Sequence, residues 1–315
     1  MYHSVFNANF PHGIMFHHFH DDLNHKASQG SINELQFENI INFIGQENIV
    51  NPEEWMERLE TGNIQKNHVC ITFDDNLKSQ IDIALKVLNK YSLKAFFFVN
   101  TAIFENQLDR LEIYRFFREN YFENLDLFYD KFFLRVRDHQ IDTDIEEITN
   151  SLDFSKYKPE YLFYTTADRK FRYFRDELLG EDKYFQIMDN WMEEVGLQQE
   201  TLITKLWFSE EDVHFLFQNK HCIGLHSHSH PTKLANLSFE EQRFEFSRNN
   251  NILSNITGKP IPAIAYPSGS YNNDTLKIAK DLDMKIGFAD NINKGVKNNR
   301  LQIPRENHSN ILKMI

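Results

Sequence analysis

The chain has 315 residues, of which 41% are hydrophobic and 25% are charged, proportions that are typical of a folded globular protein. Its formal net charge is −12, so its surface would repel nucleic acids and anionic membranes, and we expect neither as the main partner. No stretch reaches the roughly 18 apolar residues of a transmembrane helix. Residues 1–19 also lack the basic segment and apolar core of a signal peptide. We therefore expect a cytoplasmic protein without a transmembrane segment.

Strand and helix patterns alternate through the first 100 residues. Apolar runs predict strands at residues 13–19, 68–73 and 95–99. Ser31 and Glu34 have the spacing of a capping box, which predicts the start of a helix. The apolar side of that helix is expected to contain Leu35, Ile40, Ile41 and Ile44. This alternation predicts an α/β architecture with parallel strands.

The alternation stops after Asn100, and residues 105–209 have a helical, charged and aromatic pattern with few glycines. We interpret this segment as a helical subdomain inserted into a single domain that spans residues 1–315. Two roles are open for the insertion. It either forms a lid or specificity cap over the active site, or only covers one face of the core.

Strand patterns resume at residues 222–225, 264–266, 285–289 and 301–303, with helices predicted at 238–255 and 274–282. Polar residues of types that take part in catalysis stand at the carboxyl ends of predicted strands. Enzymes with a (β/α) barrel place their active sites at these ends. These residues are His17, Asp74, His226, Tyr266 and Arg305.

Two of these strand ends predict one metal site. Asp74 and Asp75 are adjacent carboxylates, and His226, His228 and His230 are three alternating imidazoles. One aspartate with two histidines suits Zn²⁺ or another late first-row divalent ion and leaves a position open for water. The remaining aspartate would then act as a base, a combination that indicates metal-assisted hydrolysis.

Each part of this constellation has a simpler interpretation. The aspartate pair could cap the helix that follows it, because Asp is favoured at helix N-termini. The histidines could be surface residues. His228 could point away from the ion, bind a carboxylate, or replace one of its neighbours as a ligand. A second histidine cluster, His17, His18 and His20, could supply a general acid that protonates a leaving nitrogen.

Several motifs resemble those of the polysaccharide deacetylase family, also called the NodB-homology family or carbohydrate esterase family 4. The motifs are Thr72-Phe73-Asp74-Asp75, the spacing from His226 to His230 with Ser227 and Pro231, and Tyr266-Pro267-Ser268-Gly269. Two further segments, Met15-Phe16-His17-His18 and Leu301-Gln302-Ile303-Pro304-Arg305, are similar to the branch that includes poly-N-acetylglucosamine deacetylases. The resemblance covers residues 14–100 and 220–308.

The resemblance implies a distorted (β/α) barrel with one divalent metal ion, zinc in the first place, with cobalt, nickel or iron as alternatives. It makes Asp75, His226 and His230 the metal ligands and Asp74 the base that takes a proton from the attacking water. A histidine would protonate the departing amine, with His17 as the first candidate and His308 as the second.

The resemblance also suggests the residues that contact the substrate. A backbone N–H near Ser268 would help to stabilise the oxyanion. We assign substrate binding to Tyr266, Ser268, Tyr271 and His18.

The sequence departs from the family pattern at three positions. Asn76 replaces the glycine that usually follows the aspartate pair, although Asn tolerates left-handed backbone geometry. Ala265 stands where many members have an arginine that orients the catalytic aspartate, and we expect Arg305 to do this from the last strand. Ser268 replaces a common aromatic residue.

The leading hypothesis is thus a metal-dependent hydrolase that removes an N-acyl group, acetyl first and formyl second, from an amino sugar in surface-polysaccharide metabolism. The substrate would be nucleotide-linked, lipid-linked or an oligosaccharide. Two alternatives are a hydrolase of a non-sugar amide or imide, and a degenerate carbohydrate-binding module without activity.

Overall fold

The computed structural model describes residues 10–138, 148, 151–159, 164–293, 295 and 299–315. The rest of the chain, which includes residues 1–9 and parts of the predicted 105–209 insertion, lies outside the described residues. Among the described residues, no helix combines the length and apolar character that crossing a membrane requires.

The chain divides into two compact units. The barrel unit comprises Met1–Gln107 and Ile203–Ile315, and the helical unit comprises Leu108–Leu202. The helical unit therefore lies inside the predicted insertion and is shorter at both ends. Whether it acts as a lid stays a prediction.

Seven parallel strands form the sheet of the barrel unit, in the order β6-β5-β4-β3-β2-β1-β7. The strands are β1 His12–Phe16, β2 Val69–Phe73, β3 Phe96–Val99, β4 Cys222–Leu225, β5 Ala263–Ala265, β6 Ile286–Phe288 and β7 Arg305–Asn307. Every strand except β4 and β7 is buried throughout, so its residues form apolar runs, as parallel strands covered on both faces do.

The segment that leads into β7 nearly closes the sheet into a barrel. Ile303 forms a parallel bridge with Phe288 of β6, and two residues later Arg305 pairs with Gly13 of β1. One short segment thus connects the two edges of the sheet. The predicted (β/α) barrel is confirmed.

Helices surround the barrel, and others form the helical unit. The barrel unit contains α1 Glu34–Ile44, α2 Pro52–Thr61 and α3 Leu85–Lys90, the last preceded by a π-helix at Gln80–Ala84. The helical unit contains α4 Arg110–Asn120, α5 Leu125–Asp138, α6 Thr166–Tyr173, a π-helix at Phe174–Leu179 and α7 Gly180–Glu194. The barrel unit continues with α8 Ile203–Leu206, α9 Glu210–Gln218, α10 Phe239–Thr257, α11 Asn273–Asp281 and α12 His308–Leu312.

The start of α1 differs from the sequence prediction. Asn33, not Ser31, is the N-cap: its side chain accepts from the Gln36 N–H, and the Gln36 side chain accepts from the Asn33 N–H. Ser31 instead bonds the backbone of Ser28. Phe37, Ile40, Ile41 and Ile44 lie at positions i, i+3, i+4 and i+7 and form the buried face, whereas Leu35 lies off this face and is 65% exposed.

Aromatic rings fill much of the barrel interior. Phe96, Phe98 and Phe288 contact one another there. The guanidinium carbon of Arg305 lies 5.7 Å from the ring centroid of Phe98 and 5.9 Å from that of Phe288. A Cβ at Gly13 would lie 2.9 Å from the Arg305 Cγ, so glycine at this position gives the arginine stem its path through the barrel.

Candidate metal and catalytic site

Three predicted metal ligands converge at the carboxyl end of the sheet. Asp75 follows β2, and His226 and His230 follow β4. The Asp75 Oδ1 lies 3.2 Å from the Nε2 of His226 and 3.2 Å from the Nε2 of His230. The three ligand atoms lie within 4.8 Å of one another, which brings them close enough to share one ion.

Hydrogen bonds fix the orientation of His226. Its Nδ1 lies 2.9 Å from the carbonyl oxygen of Ala265, which can only accept, so Nδ1 bears the hydrogen. In the neutral imidazole, the form that binds a metal ion, the lone pair is then on Nε2, the atom that faces Asp75. The His226 backbone N–H donates to the Asn249 Oδ1, and the Asn249 Nδ2 donates to the Val99 carbonyl at the end of β3. This is the outer support that histidine ligands require.

The loops that bear the ligands adopt left-handed backbone geometry. The φ angles are 72° at Asp75, 41° at Asn76, 62° at Ser227 and 57° at His230. Such non-glycine residues are uncommon and cluster at functional sites, where the surrounding structure holds them. The geometry at Asn76 agrees with the expectation that this residue would tolerate it. The Asn76 Oδ1 accepts from the Asn100 N–H.

These residues fit a divalent metal ion. The Asp75 Oδ1 is buried and has no hydrogen-bond partner, although two imidazole nitrogens lie 3.2 Å away. With its hydrogen on Nδ1, His226 directs a lone pair at this oxygen. Lone pairs that face one another repel unless a cation lies between them. One carboxylate and two imidazoles form a donor set typical of zinc.

Asp74 lies beside the ligands in a buried ion pair with Arg305. The guanidinium binds both carboxylate oxygens, with Nη1 at 2.6 Å from Oδ1 and Nη2 at 2.8 Å from Oδ2. Arg305 Nε also donates to the Ala289 carbonyl, and Nη1 donates to the Thr72 Oγ1. Burial raises the pKa of Asp74, but the charge and hydrogen bonds of Arg305, together with the charges of His226 and His17, outweigh burial and hold this pKa below its usual range. Asp74 is therefore ionised and oriented.

His17 also belongs to this group. Its Nε2 lies 3.9 Å from the Asp74 Oδ2 and 3.8 Å from the Asp75 Oδ2, and its side chain is 28% exposed. Burial lowers the pKa of His17, and the carboxylates of Asp75 and Asp74 oppose that shift. The imidazole thus lies between the carboxylates and solvent.

His228 points away from the proposed ion. Its Nδ1 lies 3.0 Å from the Thr101 Oγ1, and its Nε2 lies 3.3 Å from the Glu105 Oε2. Of the three roles open to this residue, the geometry favours binding a carboxylate. The His228 N–H donates to the Glu245 Oε2, so a second carboxylate fixes the loop between the two ligating histidines.

The structure does not bring every predicted residue to the site surface. His308 is buried, with Nδ1 facing the Met15 carbonyl at 3.1 Å and Nε2 facing the Gly30 carbonyl at 3.0 Å. Tyr266 is also fully buried, and its hydroxyl donates to the Leu301 carbonyl. Both side chains therefore pack in the protein interior, where a substrate has no access to them.

The other proposed substrate residues have more accessible positions. Ser268 is exposed and has a left-handed φ of 52° in the 3₁₀ helix Pro267–Gly269. Tyr271 is half-buried, with its ring centroid 4.6 Å from that of Tyr266. The imidazole of His18 lies parallel to that of His17 at 6.4 Å. Their roles stay predictions.

Sequence reasoning missed Gln80, which connects the segments that bear His17 and Asp74. Its Nε2 donates to the His17 carbonyl at 2.9 Å and to the Asp74 carbonyl at 2.7 Å, and its side chain is fully buried. Gln80 begins the π-helix Gln80–Ala84, a distortion that is common near functional sites. The helix-capping patterns in the sequence gave no indication of the π-helix or of these hydrogen bonds.

The family model described as polysaccharide deacetylase matches residues 61–120 and 184–287, more than half of the chain. The chain belongs to the polysaccharide deacetylase family. The matched ranges contain Asp74, Asp75, His226 and His230, whereas His17 and Arg305 lie outside them. A search of curated protein sequences found no match.

Solved structures with a similar fold cover nearly all of the chain. The Streptococcus pyogenes deacetylase PplD in complex with acetate has a TM-score of 0.54 and 18% identity, covering 96% of both chains. IcaB from Ammonifex degensii has a TM-score of 0.53 and 14% identity, covering 95% of this chain and 90% of its own. A de-N-acetylase from Aggregatibacter actinomycetemcomitans has a TM-score of 0.52 and 13% identity, covering 94% of this chain and 93% of its own. At these identities the likeness shows the fold.

Proposed function

We propose that this protein is a metal-dependent hydrolase that removes an N-acyl group, acetyl first and formyl second, from an amino sugar. Its family supports carbohydrate deacetylation in general. The observation that carries the finer proposal is the buried Asp75 Oδ1, without a hydrogen-bond partner and 3.2 Å from two imidazole nitrogens, beside a separate ionised carboxylate. A binding module has no need for that second carboxylate.

Asp75, His226 and His230 would hold the metal ion. When bound, such an ion supplies Lewis-acid activation of water and of an acyl carbonyl. The proposed base is Asp74, which accepts a proton from the attacking water. Arg305 prepares Asp74 for this role, because its two hydrogen bonds fix the plane of the carboxylate and keep it ionised.

His17 is the proposed acid. Amide hydrolysis requires a proton on the departing nitrogen, and the carboxylates of Asp75 and Asp74 favour the protonated form of the His17 imidazole, against the effect of burial. The His17 Nε2 lies 3.9 Å from the Asp74 Oδ2, so a proton accepted by the aspartate has a short route to the imidazole and then to the leaving amine. His308 has no comparable position, because its ring nitrogens face backbone carbonyls.

The substrate class is a proposal as well. An amino sugar that is nucleotide-linked, lipid-linked or part of an oligosaccharide would fit the hypothesis, with surface-polysaccharide metabolism as its setting. The similar structures include the deacetylase PplD in complex with acetate, and acetate is the expected product here. The expected cytoplasmic location stays a prediction.

The test is acyl release by the full-length chain, stripped with a chelator and reloaded with zinc, cobalt or nickel. The substrates are an N-acetylhexosamine oligosaccharide, a nucleotide-linked N-acetylhexosamine and their N-formyl analogues, and acetate or formate is measured. We expect release only with metal and loss of at least about 100-fold of the rate in Asp74→Asn, which retains the metal ligands. Release that Asp74→Asn does not diminish would contradict the proposed base. No release from any sugar, with release from a cyclic imide, would instead support the non-sugar alternative.

A further inference from the structure

The helical unit contains a group of arginine side chains that the catalytic proposal does not use. We define the arginine cluster as Arg118 of α4, Arg172 of α6 and Arg175 of the π-helix Phe174–Leu179. The guanidinium carbons of Arg118 and Arg175 lie 5.9 Å and 6.0 Å from the centroid of the Phe171 ring. That of Arg172 lies 4.0 Å from the centroid of the Tyr164 ring. Aromatic rings therefore contact all three guanidinium groups, and Arg118 and Arg175 share the Phe171 ring.

Two of these arginines have donors that no acceptor satisfies. The Nε atoms of Arg118 and Arg172 are buried and have no hydrogen-bond partner. Arg118 is only 6% exposed, and the Glu119 Oε1 lies 3.6 Å from its Nε, which is too long for a hydrogen bond. A buried charged donor without an acceptor is costly, so native proteins rarely retain one without a reason.

The buried carboxylate near the cluster is already engaged. The Oδ2 of Asp168 accepts from the backbone N–H and the hydroxyl of Thr165, and its Oδ1 accepts from the Tyr129 hydroxyl. The Thr165 donors belong to the capping box of helix α6, and the Asp168 charge also acts on Arg172, whose pKa it raises. Arg175, in contrast, has its own partner in Asp176, at 2.5 Å.

The electrostatics of Arg172 favour a nearby negative charge. Burial and the charges of Arg175 and Arg118 lower the pKa of Arg172 to about 10, against the opposing effects of Tyr164 and Asp168. An arginine is ordinarily protonated at any pH that proteins meet. The carboxylates of Glu119 and Asp176 offset the charges of Arg118 and Arg175 in part, and like charges held in a partly buried site favour a further anion.

We propose that the arginine cluster binds an oxyanion of the phosphate class. A guanidinium presents a planar set of donors that matches the oxygens of a phosphate, and an oxyanion would supply the acceptors that the two Nε atoms lack. Free phosphate and the phosphoryl group of a larger molecule, such as a nucleoside diphosphate, share this chemistry. The proposal does not depend on deacetylase activity.

Thermal unfolding of the full-length chain tests it, in phosphate-free buffer with added inorganic phosphate, pyrophosphate or a nucleoside diphosphate. A ligand that binds only the folded state raises the melting temperature, by about 5 °C when present at 100 times its Kd. We expect this rise in the wild type and its loss in Arg172→Met. Without added anion, Arg172→Met should melt at or above the wild-type temperature, because it lacks an uncompensated buried charge. The ligand with the largest rise identifies the source of the phosphoryl group.

Arg110→Met is the matched control, because Arg110 belongs to the same unit but is half-exposed and pairs with Asp189. It should keep the full response to the anion. An equal rise in the wild type and in Arg172→Met would place the anion elsewhere, for instance at the metal site, and overturn the proposal. Should Arg172→Met fail to fold, equilibrium dialysis of the wild type against labelled phosphate decides the matter. No retained phosphate would also overturn it.

Discussion

Replacing Arg305 with methionine removes the partner of a buried carboxylate while keeping an unbranched apolar stem. The side chains of Arg305 and Asp74 are 1% and 3% exposed, so water cannot take the place of the lost guanidinium. The variant loses both hydrogen bonds to Asp74 as well as those to the Ala289 carbonyl and the Thr72 hydroxyl. It leaves Asp74 charged and without its counter-ion.

The size of the effect follows from this burial. Breaking a buried pair by removing one partner costs about 3–5 kcal/mol, because the remaining charge is uncompensated. The Asp74 carboxyl can reduce this cost by taking up a proton, since the pKa depression caused by Arg305 is removed and burial then raises its pKa. A protonated Asp74 is no base, and we expect turnover to fall by about 100-fold or more as its orientation is also lost.

Urea unfolding measures the coupling free energy between Arg305 and Asp74 when four proteins are compared: wild type, Arg305→Met, Asp74→Asn and the double variant. We expect the double variant to be more stable than Arg305→Met by about 2 kcal/mol, because it has no uncompensated charge. Metal content should stay at the wild-type level, since the ligands are Asp75 and the two histidines. The reasoning would be refuted if the free energy of unfolding of Arg305→Met were within about 1 kcal/mol of the wild-type value. It would also be refuted if the double variant were no more stable than Arg305→Met.

Three further predictions follow from single residues. His230→Ala should lose the metal, whereas His228→Ala should retain it because the His228 imidazole faces Glu105. Elemental analysis of the two variants tests this, and loss of metal from both would contradict it. Gly13→Ala should destabilise the protein by about 1–3 kcal/mol, because its Cβ would crowd the arginine stem, and an unchanged urea midpoint would exclude this. The pKa of His221 is lowered to about 3 by burial, so only the unfolded chain binds its proton between about pH 6.5 and 3. Stability should therefore fall as the pH falls, by about 2 kcal/mol from pH 7 to 5, and His221→Gln should lack this component.

The sequence was sufficient to predict parallel strands and the edge of the sheet at which the candidate site lies, because both follow from short-range patterns, whereas the barrel was expected from the resemblance to the family. Buried parallel strands appear as continuous apolar runs, and their carboxyl ends lie at one edge of the sheet. Asp74, Asp75, His226 and His230 each stand just after such a run, so their proximity follows from the topology. Arg305 could be placed for the same reason.

The remaining features depend on contacts between distant parts of the chain. His308 was a plausible acid as a histidine near a strand end, but β7 leads directly into α12, so its imidazole stacks on Phe16 with centroids 5.2 Å apart. The start of α1 was ambiguous because Ser31 and Asn33 are both capping residues, and tertiary packing of Phe37 decided between them. Nothing in the sequence indicates that the charge of Arg118 acts on Arg172, 54 positions later in the chain.

Metal stoichiometry is the most direct test of the central claim that Asp75, His226 and His230 form a divalent metal site. The protein should be purified without added metal and without a metal-chelate column, and then analysed for its elements before and after titration with zinc. We predict about one equivalent of zinc, cobalt, nickel or iron per chain in the wild type, and none in His226→Ala. A wild-type protein that contains no metal and takes up none on titration would contradict the account.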